Sequence, residues 1–333
     1  MISCLRATAQ DPQLSNYFNN PLQLNPALTG QIPNHSTRIQ VGSRDQWRSV
    51  LNSGAFITSF IAFDKRFCAP IEGDYWAIGA NVLGDQRGDF PLQRLDAFLS
   101  GTYMKRLADN SNFQTYLGVG LEGGAIHHRL GKNDFSFDEQ FDNPQAAGET
   151  FDQYNFTVLD YGVGLSFYIA NKEQTNLGFN IGAAIKHLGE PEYQFFAADD
   201  GSDARLKRRY VVHAGLAIPI RGDQMGLSLK SVFMDQQPYT QLINQIDLIF
   251  GKRENSIFTI GAGLRLTKGF DGIASDALII STSLTLSQFL ISISYDTNIS
   301  TLHPASSSIG ALELSLGIVF GREDCKIVYC PGM

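Results

Sequence analysis

With 333 residues, 43% of them hydrophobic and 18% charged, the chain is long enough for two ordinary domains or for one large all-β unit. A net charge of -7 argues against the basic stripe of a nucleic-acid binder. A mean hydropathy near zero, with no apolar run approaching the ~18 residues of a membrane helix, excludes a polytopic helical membrane protein. It leaves a membrane β-barrel open, because barrel strands are only half apolar.

The first nine residues, MISCLRATA, are too short and too polar for a complete signal peptide. Ala7 and Ala9 nevertheless form a small-residue cleavage pattern before Gln10, so residues 1–9 read as the remnant of a signal. Cys4 lacks the apolar run that a lipidation site needs. Residues 10–30 then read QDPQLSNYFNNPLQLNPALTG. Proline lacks an N–H and pushes the residue before it into extended geometry. With Pro12, Pro21 and Pro26 in place, no helix or strand is expected to run through this stretch. It is expected to form a preset strap over residues 10–36, in the periplasm or lining a lumen, anchored by Tyr17, Phe18, Leu22, Leu24 and Leu28.

From Thr37 the dominant signal is period 2, the mark of half-buried strands. Residues 158–169 set Leu159, Tyr161, Val163, Leu165, Phe167 and Ile169 against Asp160, Gly162, Gly164 and Ser166. Fourteen such runs are counted, at 37–46, 54–64, 74–84, 93–107, 112–130, 155–170, 175–187, 207–220, 225–236, 241–251, 256–267, 276–287, 289–298 and 309–320. The non-apolar face mixes glycines with single charges: Asp96, Glu122, Asp160, Lys186, Lys230, Asp247, Arg265, Asp296 and Glu313. A soluble sandwich would load that face with Lys, Glu and Thr. A membrane barrel points it into a polar lumen, where glycine makes room and opposite charges pair. Runs of about 10–14 residues also suit a tilted crossing better than the usual ~5–6-residue strand.

Alternate links are tight and polar, as at 108–111, 171–174, 221–224 and 252–255, while the other links include long loops at 131–154 and 188–206. Short periplasmic turns and long extracellular loops are the outer-membrane pattern. The expected fold is therefore an all-β transmembrane up-and-down antiparallel barrel of about 14 strands over 37–320. That topology sends residues 10–36 and the tail 321–333 to the periplasmic side. An outer-membrane lipid environment follows from the barrel itself.

Motifs with chemistry are few. Gly118-Val119-Gly120-Leu121-Glu122-Gly123 spells a dinucleotide fingerprint, but it lies inside a strand, so its glycines read as lumen-facing. His127 and His128 are adjacent and diverge, and His187 and His213 flank a loop without a ligand set, so no metal and no cofactor are expected. Ser100, Ser166 and Ser281 have no histidine in register, which argues against an enzyme. Acidic and aromatic residues in the two long loops read as a docking surface. Cys325 and Cys330 can close a small disulfide loop, which leaves Cys68 unpaired. At the end of the first strand, Arg44-Asp45-Gln46-Trp47 puts Arg44 on the lumen face, while Trp47 suits the interfacial girdle.

The 10–30 run and this RDQW together resemble the PorP/SprF family of type IX secretion and gliding-motility outer-membrane proteins of the Bacteroidetes. The family start, QDPxxxxYxxNPxxxNPAxxG, is matched by Gln10, Asp11, Pro12, Tyr17, Asn20, Pro21, Asn25, Pro26, Ala27 and Gly30. Its YR[DN]QW motif is matched by Arg44, Asp45, Gln46 and Trp47, with Ser43 in place of Tyr and Arg48 where many members have Pro. The Cys-Pro tail is matched by Cys330-Pro331-Gly332-Met333. The resemblance implies a non-enzymatic barrel that works with the type IX machinery. It would anchor or help export large surface proteins bearing a C-terminal sorting domain, beside a periplasmic peptidoglycan-binding lipoprotein. Partner contact is expected at Asp11, Pro12, Tyr17, Asn20, Pro21, Asn25, Pro26, Gly30, Arg44, Asp45, Gln46 and Trp47 and at the tail 321–333, since the N-terminal run and the tail both lie on the periplasmic side. A channel for a small solute is the alternative.

Overall fold

The computed structural model of the chain describes residues 11–51, 54–88, 92–131, 154–172, 177–193, 205–222, 224–251, 256–269, 272–301 and 306–321. The signal remnant, most of the two long loops, and the tail with Cys325 and Cys330 lie outside the described residues.

Fourteen strands run through the described residues: β1 (Thr37–Gln46), β2 (Phe56–Cys68), β3 (Tyr75–Arg87), β4 (Leu92–Asp109), β5 (Phe113–Arg129), β6 (Asn155–Asn171), β7 (Gly178–Lys186), β8 (Arg209–Arg221), β9 (Met225–Gln236), β10 (Tyr239–Phe250), β11 (Ser256–Gly269), β12 (Gly272–Leu286), β13 (Phe289–Asn298) and β14 (Ile309–Phe320). Each pairs antiparallel with its chain neighbours, and β1 closes on β14 from Thr37↔Phe320 to Gln46↔Ala311. Closure satisfies every strand edge, which is what permits sheet in a bilayer. In β6 the alternation runs as the periodicity requires: Leu159 is 81% exposed and Asp160 is 3% exposed. A continuous outer coat of Leu, Ile, Val, Phe and Tyr far exceeds what a soluble surface tolerates and calls for lipid.

Fourteen strands enclose more space than wall side chains alone fill. The strap fills much of it. Residues 11–32 are buried except Gln13, Phe18 and Asn19. Leu14, Tyr17, Leu24 and Leu28 pack on Phe60, Leu83, Val211, Val232, Met234 and Ile279 from the wall, giving the barrel a hydrophobic core. Nearer the short-turn end, Tyr75, Met104, Tyr116 and Tyr168 close the β3–β6 side. The Tyr75 and Tyr168 hydroxyls meet there at 3.2 Å.

Three expectations need correction. Helical structure does occur in the strap, as single turns at Tyr17–Asn19, Pro21–Leu24 and Pro26–Leu28. The last two start at proline with Asn as the cap: Asn20 accepts from the Gln23 N–H at 3.4 Å and Asn25 from the Ala27 N–H at 2.8 Å. Proline at the first helical position loses no hydrogen bond, so Asn-Pro starts a turn as readily as it ends one. Second, Cys68 is disulfide-bonded rather than unpaired. Third, Gly123 faces outward, whereas Gly118 and Gly120 face the lumen.

Candidate functional site

The chemistry-bearing residues converge on the contact between strap and wall. At the long-loop end, Asp11 enters a clasp of charges. Its carboxylate lies 2.9 Å from Arg94 of β4, 3.2 Å from Arg209 of β8 and 2.7 Å from His187, the first residue beyond β7. Its backbone N–H donates to Gln236 of β9 at 3.0 Å. Asp160 holds the other ring nitrogen of His187 at 2.5 Å, and Asp96 accepts from Arg94 at 2.7 Å. Burial opposes charge on Asp11, but His187, Arg94 and Arg209 outweigh it and hold the carboxyl well below its ordinary range. Burial likewise opposes charge on His187, yet Asp11 and Asp160 push it up to about 9.

Four residues on, Ser15 is held by a second network. Its N–H donates to Glu313 of β14 at 2.9 Å, and its hydroxyl bonds Asp296 of β13. Arg44 of β1 reaches the same hydroxyl, Asp296 at 2.9 Å and Glu313 at 3.6 Å, its partner in the β1–β14 register. Arg265 of β11 adds contacts to Asp296 at 2.9 Å and to Ser15 at 3.0 Å. The two sequence motifs therefore meet physically, through Arg44 and Ser15. The rest of the second motif stays near the rim. Gln46 accepts from Arg44 at 3.4 Å, Asp45 pairs with Arg48, and Trp47 packs edge-on against Phe56 at 5.7 Å.

The middle of the strap is held by amides and by glycine sockets. Asn20 donates to Asn81 of β3 at 3.1 Å. Asn25 donates to the Leu165 carbonyl at 2.9 Å and lies 3.0 Å from His213. A Cβ on Gly120 would come within 2.3 Å of the Ala27 backbone, and one on Gly164 within 1.9 Å of Asn25. The chain then turns at Gly30 (φ +77°), whose N–H donates to Asp64 at 2.8 Å, and whose carbonyl accepts from Arg66 at 3.1 Å. From Asp11 to Gly30 the strap thus runs the lumen from the long-loop end toward the short-turn end, where β1 begins. Tyr17, packed under Arg209, and Pro12, Pro21 and Pro26 are buried along it.

The nine inward charges named from the pattern fall into these contacts. Asp96 and Asp160 belong to the first clasp; Arg265, Asp296 and Glu313 belong to the second. Lys186 pairs with Glu122 at 2.9 Å and Lys230 with Asp247 at 2.9 Å across the wall. Sequence reading did not single out Arg94, His187, Arg209, Asp64 or Arg66 as partners of the strap. Arg94 and Arg209 share the inward register of Asp96 and Val211, so period 2 could have found them. His187 lies beyond a strand end, where the period gives no signal. Among the described residues no group of His, Cys, Asp and Glu is arranged to hold a metal.

Comparison with known proteins identifies a matching family. The family model described as Type IX secretion system membrane protein PorP/SprF matches residues 7–318. A comparison with curated proteins finds no match. Among solved structures, the Ralstonia pickettii toluene transporter TbuX is 14% identical, with a TM-score of 0.48 over 90% of this chain and 93% of that one. The CymD monoaromatic hydrocarbon channel is 8% identical, with a TM-score of 0.46 over 93% and 94%. An outer membrane channel from Pseudomonas putida F1 is 9% identical, with a TM-score of 0.39 over 87% and 97%.

Proposed function

The chain belongs to the PorP/SprF family of type IX secretion system membrane proteins, and from that membership we propose that it serves secretion as a strap-filled accessory barrel rather than as a conduit. Its family and fold are those of a membrane secretion component, not of a known enzyme class, and its place is an outer-membrane β-barrel. The finer reading is that it anchors or assists export of large surface proteins through their C-terminal sorting domain. It does so in the outer membrane of a Gram-negative cell, beside the secretion machinery and a periplasmic peptidoglycan-binding lipoprotein. One observation carries the preference for an accessory. The motif residues Asp11, Asn20, Asn25, Gly30 and Arg44 are spent on locking the strap across the lumen. In this reading they act on a partner indirectly, by fixing the strap and the short-turn rim that a partner meets. Mild-detergent purification of the native protein from outer membranes, followed by mass spectrometry, is the test. Co-purification of a surface protein with a sorting domain, or of a type IX component, is expected; absence of both would remove the proposal's support.

A further inference from the structure

The strap does not occupy the whole lumen. On the β9–β14 side, below the Phe18–Asn19 turn, a cavity of about 250 Å³ remains. The turn residues Ser287 and Gln288 lie at its rim, which places its mouth at the short-turn end. Asn16, Phe18 and Asn19 line its inner end, and the Ser15–Arg44–Asp296 network lies beyond them. The cavity is a vestibule beside the strap.

Its chemistry is hydroxyl and amide. Ser228, Gln245, Ser281, Ser283, Thr285 and Ser292 line the wall, and the charges among them cancel. Lys230 pairs with Asp247 at 2.9 Å, and Arg38 grips Asp64 through two bonds of 2.9 and 2.8 Å. Three buried polar atoms of the lining have neither a hydrogen bond nor an ion pair, the Asn16 Oδ1 (residue 7% exposed), the Gln40 Oε1 (5% exposed) and the Ser228 Oγ (2% exposed). Buried polar atoms are normally satisfied, so a cavity lined by three such residues suits a polar guest. Phe18 adds an apolar surface, with the Lys230 ammonium 5.3 Å from its ring centre.

We propose that this vestibule binds an uncharged, hydroxyl-rich ligand, one or two pyranose rings of a glycan. Groups that donate and accept at one atom match hydroxyls that do the same. A charged guest finds no unpaired counter-charge. A peptide would need a backbone ladder, and in a closed barrel the strand edges are already paired. The inference rests on the cavity and stands apart from the secretion reading.

The test is calorimetric titration of the full-length protein in a detergent without a sugar headgroup. The probes are maltose and N,N′-diacetylchitobiose, against glucuronate, glucosamine and a Gly-Ser hexapeptide. Saturable binding of at least one neutral sugar is expected, with the charged sugars and the peptide weaker by about tenfold or more, equivalent to about 1.4 kcal/mol. Thr285→Trp, which fills the cavity, should abolish it. Gln40→Leu, which keeps the shape and removes an acceptor, should weaken it and serves if the first variant misfolds. No saturable sugar binding, equal or tighter binding of a charged probe or the peptide, or binding unchanged in a folded variant would overturn the proposal.

Discussion

Asp11 sits where a carboxylate is costly to lose. Asp11→Asn leaves Arg94, Arg209 and His187 facing a neutral amide in a buried site, and breaking such a cluster typically costs ~3–5 kcal/mol. Limited proteolysis should therefore cut the strap of Asp11→Asn much faster than that of the wild type, while the barrel resists. The same clasp sets a pH window. Asp11 is held below its ordinary value, so its contribution is present above about 4 and fades as pH falls. His187 is raised from 6.5 to about 9, so its contribution is full below about 6.5 and is lost as pH rises through 9. Strap protection should fall between pH 7 and 10, and His187→Gln should flatten that slope. An unchanged slope in the variant would place the alkaline effect elsewhere. At the glycine sockets steric exclusion replaces charge. Gly120→Leu meets the Ala27 backbone, which cannot rotate away, and should expel the strap from a barrel that still migrates as folded in unheated electrophoresis.

At the scale of elements, the strands were legible and the strap was only half so. Period 2 survives in a barrel because both faces are fully committed, one to lipid and one to lumen, and it located β1, β9, β13 and β14 to the residue. The strap was recognisable as a rigid, non-strand segment, but its proline steps carried two meanings. Asn20-Pro21 and Asn25-Pro26 break any longer helix and also cap single turns. Only packing against Asn81, Leu165 and Gly164 decides which meaning applies. The inward charges could be read strand by strand, yet their assortment into two clasps could not, because the strap that joins them is distant in sequence. Asn25→Ala removes a cap worth about 1 kcal/mol together with the bond to the Leu165 carbonyl. It should lower thermal stability more than a change at the exposed Gln13. Equal melting temperatures would show that the turn is held by packing alone.

For the whole molecule, the strap turns a wide cylinder into a largely filled one, with apolar side chains and buried amides and charges interleaved along it. Deleting residues 11–30 removes that filling but none of the strand ladder. The barrel is expected to assemble and melt at a lower temperature. Cys68, at the short-turn end of β2, is disulfide-bonded, which spacing did not reveal, since spacing alone favoured Cys325 with Cys330. Peptide mapping without reductant should recover Cys68 in a cross-linked peptide.

Single-channel recording of the purified protein, intact and with residues 11–30 deleted, tests the filled lumen most directly. The intact barrel is expected to stay closed and the deleted barrel to conduct steadily. A large, steady conductance from the intact protein would contradict a strap-filled accessory barrel.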